Sequence, residues 1–288
     1  MKALIMPNLS KKNAYLCAAG LIDSLNSCGI IPLIDSIYQK SFSGASVFFG
    51  EFGELLEICN FIIAVGGDGS LIHSAKHAAK KDKLVLGINA GRLGFLAELE
   101  GDQLEKVRKL ASGEYTVEKR MMLDIKLRRN EGKTVLLQAL NELVVSKGAL
   151  SKMIDTDIFC DGNHVGFYRA DGIIFCTPTG STAYSLSAGG PIISPTIDSI
   201  AMTPICPHSL HGRTILFPPN KTLSIKLIQA NTGEALEDVF VSVDGEDIIQ
   251  IDENCLIEVS KSESFVKMVH FKGWHFYEVL SKKMMNRF

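Results

Sequence analysis

The chain contains no GxxxxGK[ST]: its one Gly-Lys-Thr, at 132–134, has Leu127 where the leading glycine belongs, which excludes a Walker A phosphate loop. It also lacks a GxGxxG: Gly67 and Gly69 begin one, but Ile72 stands where the third glycine belongs, so the dinucleotide fingerprint is excluded as well. No CxxC occurs. The seven cysteines (17, 28, 59, 160, 176, 206, 255) are odd in number and scattered, which points to free thiols in a reducing cytoplasm rather than a disulfide frame or zinc site. No apolar run approaches the ~18–20 residues that span a bilayer. MKALIMPNLSKK is not a signal peptide, because Pro7 and Asn8 cut its apolar run short and Lys11–Lys12 follow. A formal net charge of −2 leaves no basic footprint, so neither nucleic acid nor a membrane is an expected partner.

What is present is organised around Phe61–Leu71, FIIAVGGDGSL. Phe61–Val65 is a short β-type run, Gly66-Gly67-Asp68-Gly69-Ser70 follows, and Leu71–Ala79 reads as the start of a helix. A strand opening through glycines into a helix exposes backbone N–H groups to a phosphate. Asp68 is the odd residue, since a carboxylate repels phosphate. Its presence points to a second role, either taking a proton from a hydroxyl or holding the metal that screens the phosphates. The stretch therefore indicates phosphoryl transfer onto an alcohol, against the plainer reading of a β–α turn that uses glycine for its backbone freedom.

At 288 residues the chain can form two modest domains. Up to Tyr115, strands alternate with helices: Lys2–Met6, a helix over Asn13–Cys28 capped at Gly29, Ile30–Ile34, an irregular Ser41–Gly53, the central strand and its helix, Leu84–Ile88 ending in Asn89–Phe95, and a helix over Asp102–Ala111. This pattern predicts a parallel sheet with its ligand beyond the strands' carboxyl ends. After Tyr115 the pattern becomes short strands: Met122–Arg128, Glu142–Ser146, Thr156–Cys160, Gly172–Thr177, Thr222–Leu227, Val239–Val243 and Leu256–Val259, with Asp-Gly turns at 161–162, 171–172 and 244–245. The expected fold class is an N-terminal Rossmann-like α/β domain over 1–114, followed by an all-β sandwich over 115–270. A helix over Trp274–Lys283, in a 271–288 tail, is expected to return to the first domain.

A second glycine-bearing stretch, Tyr168–Pro191, reads YRADGIIFCTPTGSTAYSLSAGGP. Small hydroxyl residues between glycines let a ligand approach backbone donors closely, although a bland Ser/Thr-rich loop has the same composition. Arg169 can pair with phosphate, and Asp171 can bind a ribose diol or an amide.

VGGDGSL at 65–71, GINAGRLGFL at 87–96, NELVVSKG at 141–148, the 168–191 block and TPICPHSL at 203–210 occur in this order. Together they resemble the NAD kinase family, with the resemblance running from about Asn60 to Ser281. It implies ATP-dependent phosphorylation of the 2′-hydroxyl of NAD's adenosine ribose, giving NADP. It further implies Mg²⁺ bound chiefly through ATP, and a homodimer or homotetramer. Carried over by position, Asp68 resembles the general base, with Gly67 and Gly69 in its turn and His73 one helical turn on. Asn141 and Glu142 match the pair that holds adenine and ribose. Arg169 and Asp171 match residues beside the diphosphate and nicotinamide half. Thr179, and Thr182, Ala183, Tyr184, Ser185, Leu186 and Ser187, match the segment that wraps the adenosine, and Lys152 stands where the family often has a basic residue. Ser70 replaces a commoner Thr, Ala170 a commoner Gly, and Glu246 a frequent Gln.

Other features carry less. His73 and His77 are spaced i, i+4 but have no third ligand in pattern, so they read as surface or near-site histidines. His208 and His211 read as loop residues, Arg92 as a phosphate contact or a solvated charge, and Cys206 as no nucleophile, since no base partners it in sequence. Two rivals stand beside the kinase: a lipid kinase of the GGDG group, which the polar TGSTAYS block disfavours, and a catalytically idle NAD(P)-binding regulator, which the retention of Asp68 disfavours.

Overall fold

The apolar runs of the first part of the chain pair side by side, all parallel. In the computed structural model, which describes residues 1–91, 94–129, 132–149, 152–209, 212–228, 238–271 and 276–285, the chain divides into two units. One is Met1–Lys119 with Val266–Phe288, the other Arg120–Phe265. Arg92, His211 and Trp274 lie outside the described residues.

In the first unit, β1 (Lys2–Pro7), β2 (Ile31–Asp35), β3 (Phe48–Gly50), β4 (Phe61–Gly66) and β5 (Leu84–Asn89) form a sheet in the order β5-β4-β1-β2-β3. β6 (Leu99–Glu100) joins the end of β5. Every residue of β4 is buried, as expected of a central parallel strand covered on both faces. The helix α1 (Ala14–Ser27) buries Ala14, Cys17, Ala18, Leu21, Ile22 and Leu25, one stripe at helical spacing, and Gly29 follows it at φ 76°. α2 (Phe52–Ile58) and α3 (Asp68–Lys80) follow.

Some elements differ from the sequence expectation, among them two in the first unit. The stretch expected to be irregular contains β3, whose three residues are too few to show alternation; it forms because β2 offers it an edge, pairing Leu33 with Phe48. The helix expected over 102–111 is instead a 3₁₀ turn, Leu104–Val107, followed by α4 (Arg108–Ser112). The 3₁₀ turn packs on α1, where Leu104 Cδ1 would be 3.0 Å from any Cβ at Gly20.

The second unit is a sandwich. One sheet runs β14 (Ile215–Phe217), β13 (Ile200–Ile205), β12 (Gly172–Cys176), β9 (Glu142–Lys147), β16 (Val239–Val243) and β17 (Asp247–Ile251), all antiparallel. The other places β11 (Asn163–Ala170), β10 (Ile154–Cys160) and β15 (Leu223–Ile228) beside the start of β18 (Leu256–Phe271), with β7 (Tyr115–Arg128) and β8 (Thr134–Ala139) alongside. Alternate residues from both sheets, among them Leu123, Ile125, Leu223, Ile225, Val145 and Phe175, meet in one core. The outer face of the first sheet is covered as well: Ile174, Cys176 and Ala201 pack under Ala188 and Ile193, so the glycine-rich segment after β12 lies on that face.

Asp161-Gly162 and Asp244-Gly245 have positive φ at both residues and close the β10–β11 and β16–β17 hairpins. Asp171-Gly172 does not make such a turn. The chain passes there from one sheet to the other, and glycine is needed because a Cβ would fall 2.5 Å from the Val145 carbonyl oxygen. The helix α6 (Phe276–Met285) belongs to the first unit, with Phe276, Val279, Leu280 and Lys283 on its half-buried face.

Candidate active site

In the first unit the sheet order reverses between β1 and β4, and at such a point the loops diverge and leave a crevice at the strands' carboxyl ends. Asn8, just past β1, donates from Nδ2 to Ser70 Oγ at 2.9 Å and ties the two strand ends together. Asp68 does not sit in mid-loop, as the glycines around it imply. It is the first residue of α3, with Gly67 as N-cap, where the unpaired amides of a first helical turn favour a negative side chain.

Its carboxylate is held firmly. Oδ2 accepts the Phe95 N–H at 2.8 Å and Oδ1 the Leu96 N–H at 3.2 Å. The turn that presents these amides can come so close only because residue 94 is glycine: a Cβ there would lie 2.0 Å from Asp68 Oδ1. The side chain is still 29% exposed, and Lys283 Nζ stands 4.0 Å from Oδ2. Gly67 and Gly69 have no positive φ, and a side chain added at either would meet nothing within 4 Å. Among the described residues nothing in the fold demands glycine at these two positions, which leave the backbone of the turn bare. His73 lies on the exposed side of α3 and stacks edge-on with His77, which in turn meets Phe52.

The same unit holds a cleft of about 570 Å³, lined in part by Asn13, Cys17, Asn89, Glu100 and Asp102. Asn89 Nδ2 donates to Glu100 Oε2 at 2.7 Å, and burial pushes the Glu100 carboxyl up. Its two carboxyls make this lining unsuited to phosphate.

In the second unit, Asn141 and Glu142 open β9. The Asp244 carboxylate accepts three successive N–H groups, from Leu140, Asn141 and Glu142, at 2.9, 2.8 and 3.0 Å. From the other side, Thr177 Oγ1 donates to the Leu140 carbonyl at 2.6 Å and its N–H to that of Asn141 at 2.9 Å. Gly180 lies against the same corner, where a Cβ would fall 2.2 Å from the Asn141 carbonyl oxygen. The corner is therefore rigid, yet its side chains are not satisfied. Asn141 and Glu142 are each 8% exposed, and among the described residues Asn141 Oδ1 and Glu142 Oε2 have no hydrogen-bond partner. Burial, and secondarily the charge of Asp244, push Glu142 up to about 8, so it is a neutral acid at pH 7. An unmet buried polar atom costs about 1–3 kcal/mol, which a ligand with matching groups would offset.

The hydroxyls after β12 divide into two sets. Those of Thr177, Ser181 and Ser185 are turned inward: Ser181 Oγ accepts the Ile193 N–H at 3.0 Å, and Ser185 Oγ lies 3.0 Å from Thr203 Oγ1. The Ser185 side chain thus braces the segment from within. Thr179 is buried, with Arg120 Nη1 3.5 Å from its Oγ1. Thr182, Ala183 and Leu186 are half-buried, while Tyr184 and Ser187, at the two ends of the single turn α5 (Tyr184–Ser187), are exposed. Cys176 below them is pushed up to about 12 by burial and is inert as a nucleophile.

Arg169 and Asp171 do not join this group. Antiparallel pairing sets Glu142 beside Cys176 and Ser146 beside Gly172, so Asp171 and Thr177 flank opposite ends of β12. At ~3.3 Å per residue the two ends are roughly 20 Å apart. Arg169 is engaged there by Asp155, which takes Nε at 2.7 Å and Nη2 at 2.6 Å, and Asp171 Oδ1 pairs with Lys147 at 3.1 Å. Lys152 is exposed in the link before β10.

Comparison with known proteins matches residues 53–115 to the ATP-NAD kinase N-terminal domain and residues 140–271 to the ATP-NAD kinase C-terminal domain. The chain belongs to the NAD kinase family. An NAD kinase of Caldanaerobacter subterraneus is 34% identical over 287 residues, 99% of each chain, and one from Symbiobacterium thermophilum is 39% identical over 226 residues, 78% of each. The fold is that of yeast NADH kinase complexed with NADH (TM-score 0.88, 24% identity, 100% of this chain and 88% of that one). It is likewise that of an Archaeoglobus fulgidus NAD kinase in complex with ATP (TM-score 0.74, 24% identity, 99% of each).

Family membership makes the chain an NAD⁺ kinase, a transferase with ATP and NAD as substrates. Among the described residues no helix is long and apolar enough to cross a membrane. Sequence reasoning about this family member missed the groups that hold its site: Asn8, the Phe95 and Leu96 amides, Thr177 and Asp244. The last had a signal, since VDG at 243–245 was read only as a turn.

Proposed function

We infer that the chain transfers the γ-phosphoryl group of ATP to the 2′-hydroxyl of the adenosine ribose of NAD, with Asp68 as general base. Asp68 takes the hydroxyl proton, the ribose oxygen bonds to phosphorus, and the bond to the bridging oxygen of ADP breaks. The observation that carries this is a carboxylate fixed by two backbone amides at a helix N-terminus, its side chain still reachable, in a turn left bare by two glycines. Recognition falls to the second unit, where the unmatched Asn141 Oδ1 and the acid of Glu142 suit the amino group and ring nitrogens of adenine or the ribose hydroxyls. Thr179, Thr182, Ala183, Tyr184 and Leu186 belong to the same adenosine-binding segment. A divalent cation enters with ATP as part of the substrate; both Asp68 oxygens already accept amides, and the described residues offer no cluster of three His, Cys, Asp or Glu to cage one.

The test is purified protein with NAD, ATP and Mg²⁺, reading NADP through an NADP-specific dehydrogenase. NADP formation is the expected result. Phosphate passing to diacylglycerol instead, or NAD bound without turnover, would hand the site to a lipid kinase or to an idle binding protein.

A further inference from the structure

We propose that Lys283, on α6, is a further catalytic residue: its ammonium meets the phosphoryl group in transfer and neutralises the charge that develops on it. This rests on the reading of Asp68 given above. Phosphoryl transfer asks mainly for positioning and for positive charge about the moving group. The turn from Gly66 to Ser70 supplies a carboxylate and helix amides but no cation, and the chain has no Walker lysine.

The tertiary fold brings a cation from the far end of the sequence. Lys283 Nζ lies 4.0 Å from Asp68 Oδ2 and 4.1 Å from the centroid of the Phe95 ring. Four ångströms is a through-space ion contact, too long for a hydrogen bond, so Asp68 does not consume the ammonium's donors. A phosphate oxygen at ~2.7–2.9 Å from the nitrogen would take one. Phe95 serves both groups, its N–H fixing Asp68 and its ring carrying Lys283, so base and cation are set by one residue. The lysine stem lies on the half-buried face of α6 and its side chain is 29% exposed, an arrangement that aims the head while leaving it reachable. Lys283 exchanges no proton; the bonds made and broken are those already described.

The same packing could hold α6 in place and do nothing more, and two variants separate these roles. Lys283→Met keeps an apolar stem against Phe95 but removes the charge; Lys283→Arg restores it. We expect Lys283→Met to lower kcat for NADP formation by about 10²-fold, the scale of losing one preorganised charge-stabilising group, with Tm and NAD affinity as in wild type. Lys283→Arg should recover most of the loss. The proposal is overturned if Lys283→Met turns over within about threefold of wild type or faster, or if activity and Tm fall together and Arg recovers neither. Wild type and Asp68→Asn are assayed alongside. No NADP from wild type would sink the reading of the site itself, whereas an active wild type, a dead Asp68→Asn and an active Lys283→Met would sink the lysine alone.

Discussion

The titratable groups Asp68 and His270 of the first unit and Glu142 of the second are held on opposite terms. In the first unit they are answered: Asp68 accepts two amides, and His270 lies between carboxylates, Nδ1 2.8 Å from Glu98 and Nε2 2.8 Å from Glu118. Burial works against the imidazolium, but the hydrogen bonds it donates to Glu118 and Glu98 prevail and raise its pKa. In the second unit Glu142 is buried beside another carboxylate, with Oε2 unmet. On the proposed reading of Asp68 and Glu142, the difference separates two kinds of functional group. One that acts on bonds must be held in its reacting position before substrate arrives, while one that recognises a ligand can stay unsatisfied until the ligand completes it.

The sharpest way to break this comparison is Asp68→Asn, which should cut kcat by roughly 10²–10⁴ while fold and NAD binding persist, measured by NADP formation and calorimetry. Near-normal turnover would show that the best-held group in the first unit is structural. Gly94→Ala comes next. Its methyl would fall on Asp68 Oδ1, so the carboxylate must move, and kcat should drop about 10²-fold with circular dichroism unchanged.

The remaining tests address stability, and they diverge in sign. His270→Gln leaves two buried carboxylates without their cation and should cost about 3 kcal/mol at pH 6 in denaturant melts. Because the folded pKa of His270 is raised above 6.5, its contribution is complete below that pH and is lost as pH rises through the folded value, so the penalty should shrink in alkaline buffer. Glu142→Gln should stabilise, since folding lifts this carboxyl from 4.5 to about 8 and wild type loses stability as pH climbs between them. The gain should be nearly absent at pH 4.5 and reach about 4 kcal/mol at pH 8. A destabilised Glu142→Gln would mean the acid is satisfied after all.

Much of the architecture was legible because it depends on local patterning. The apolar run of β4, the α1 stripe, the alternation in Met122–Arg128 and the Asp-Gly turns at 161 and 244 each show in a window of a few residues. A short window can also mislead: Leu16, which helical spacing over Asn13–Cys28 would set with Leu21 and Leu25, is 70% exposed, and Asp171-Gly172 resembles a hairpin turn but is a passage between sheets. Arg169 and Asp171 lie at one end of the five-residue strand β12, and Thr179 and Thr182 follow its other end.

Sequence alone determined the kind of chemistry, because a carboxylate among glycines after a buried strand and a hydroxyl-rich block are written in consecutive residues. Only the tertiary structure decided what holds those groups and what stands beside them. Asp68 is gripped by amides of the 94–96 turn and faces a lysine from α6, and the Asn141–Glu142 corner is fixed by Asp244 from another hairpin. The physical reason is that a hydrogen bond or a charge acts over a few ångströms of space, whatever the distance along the chain.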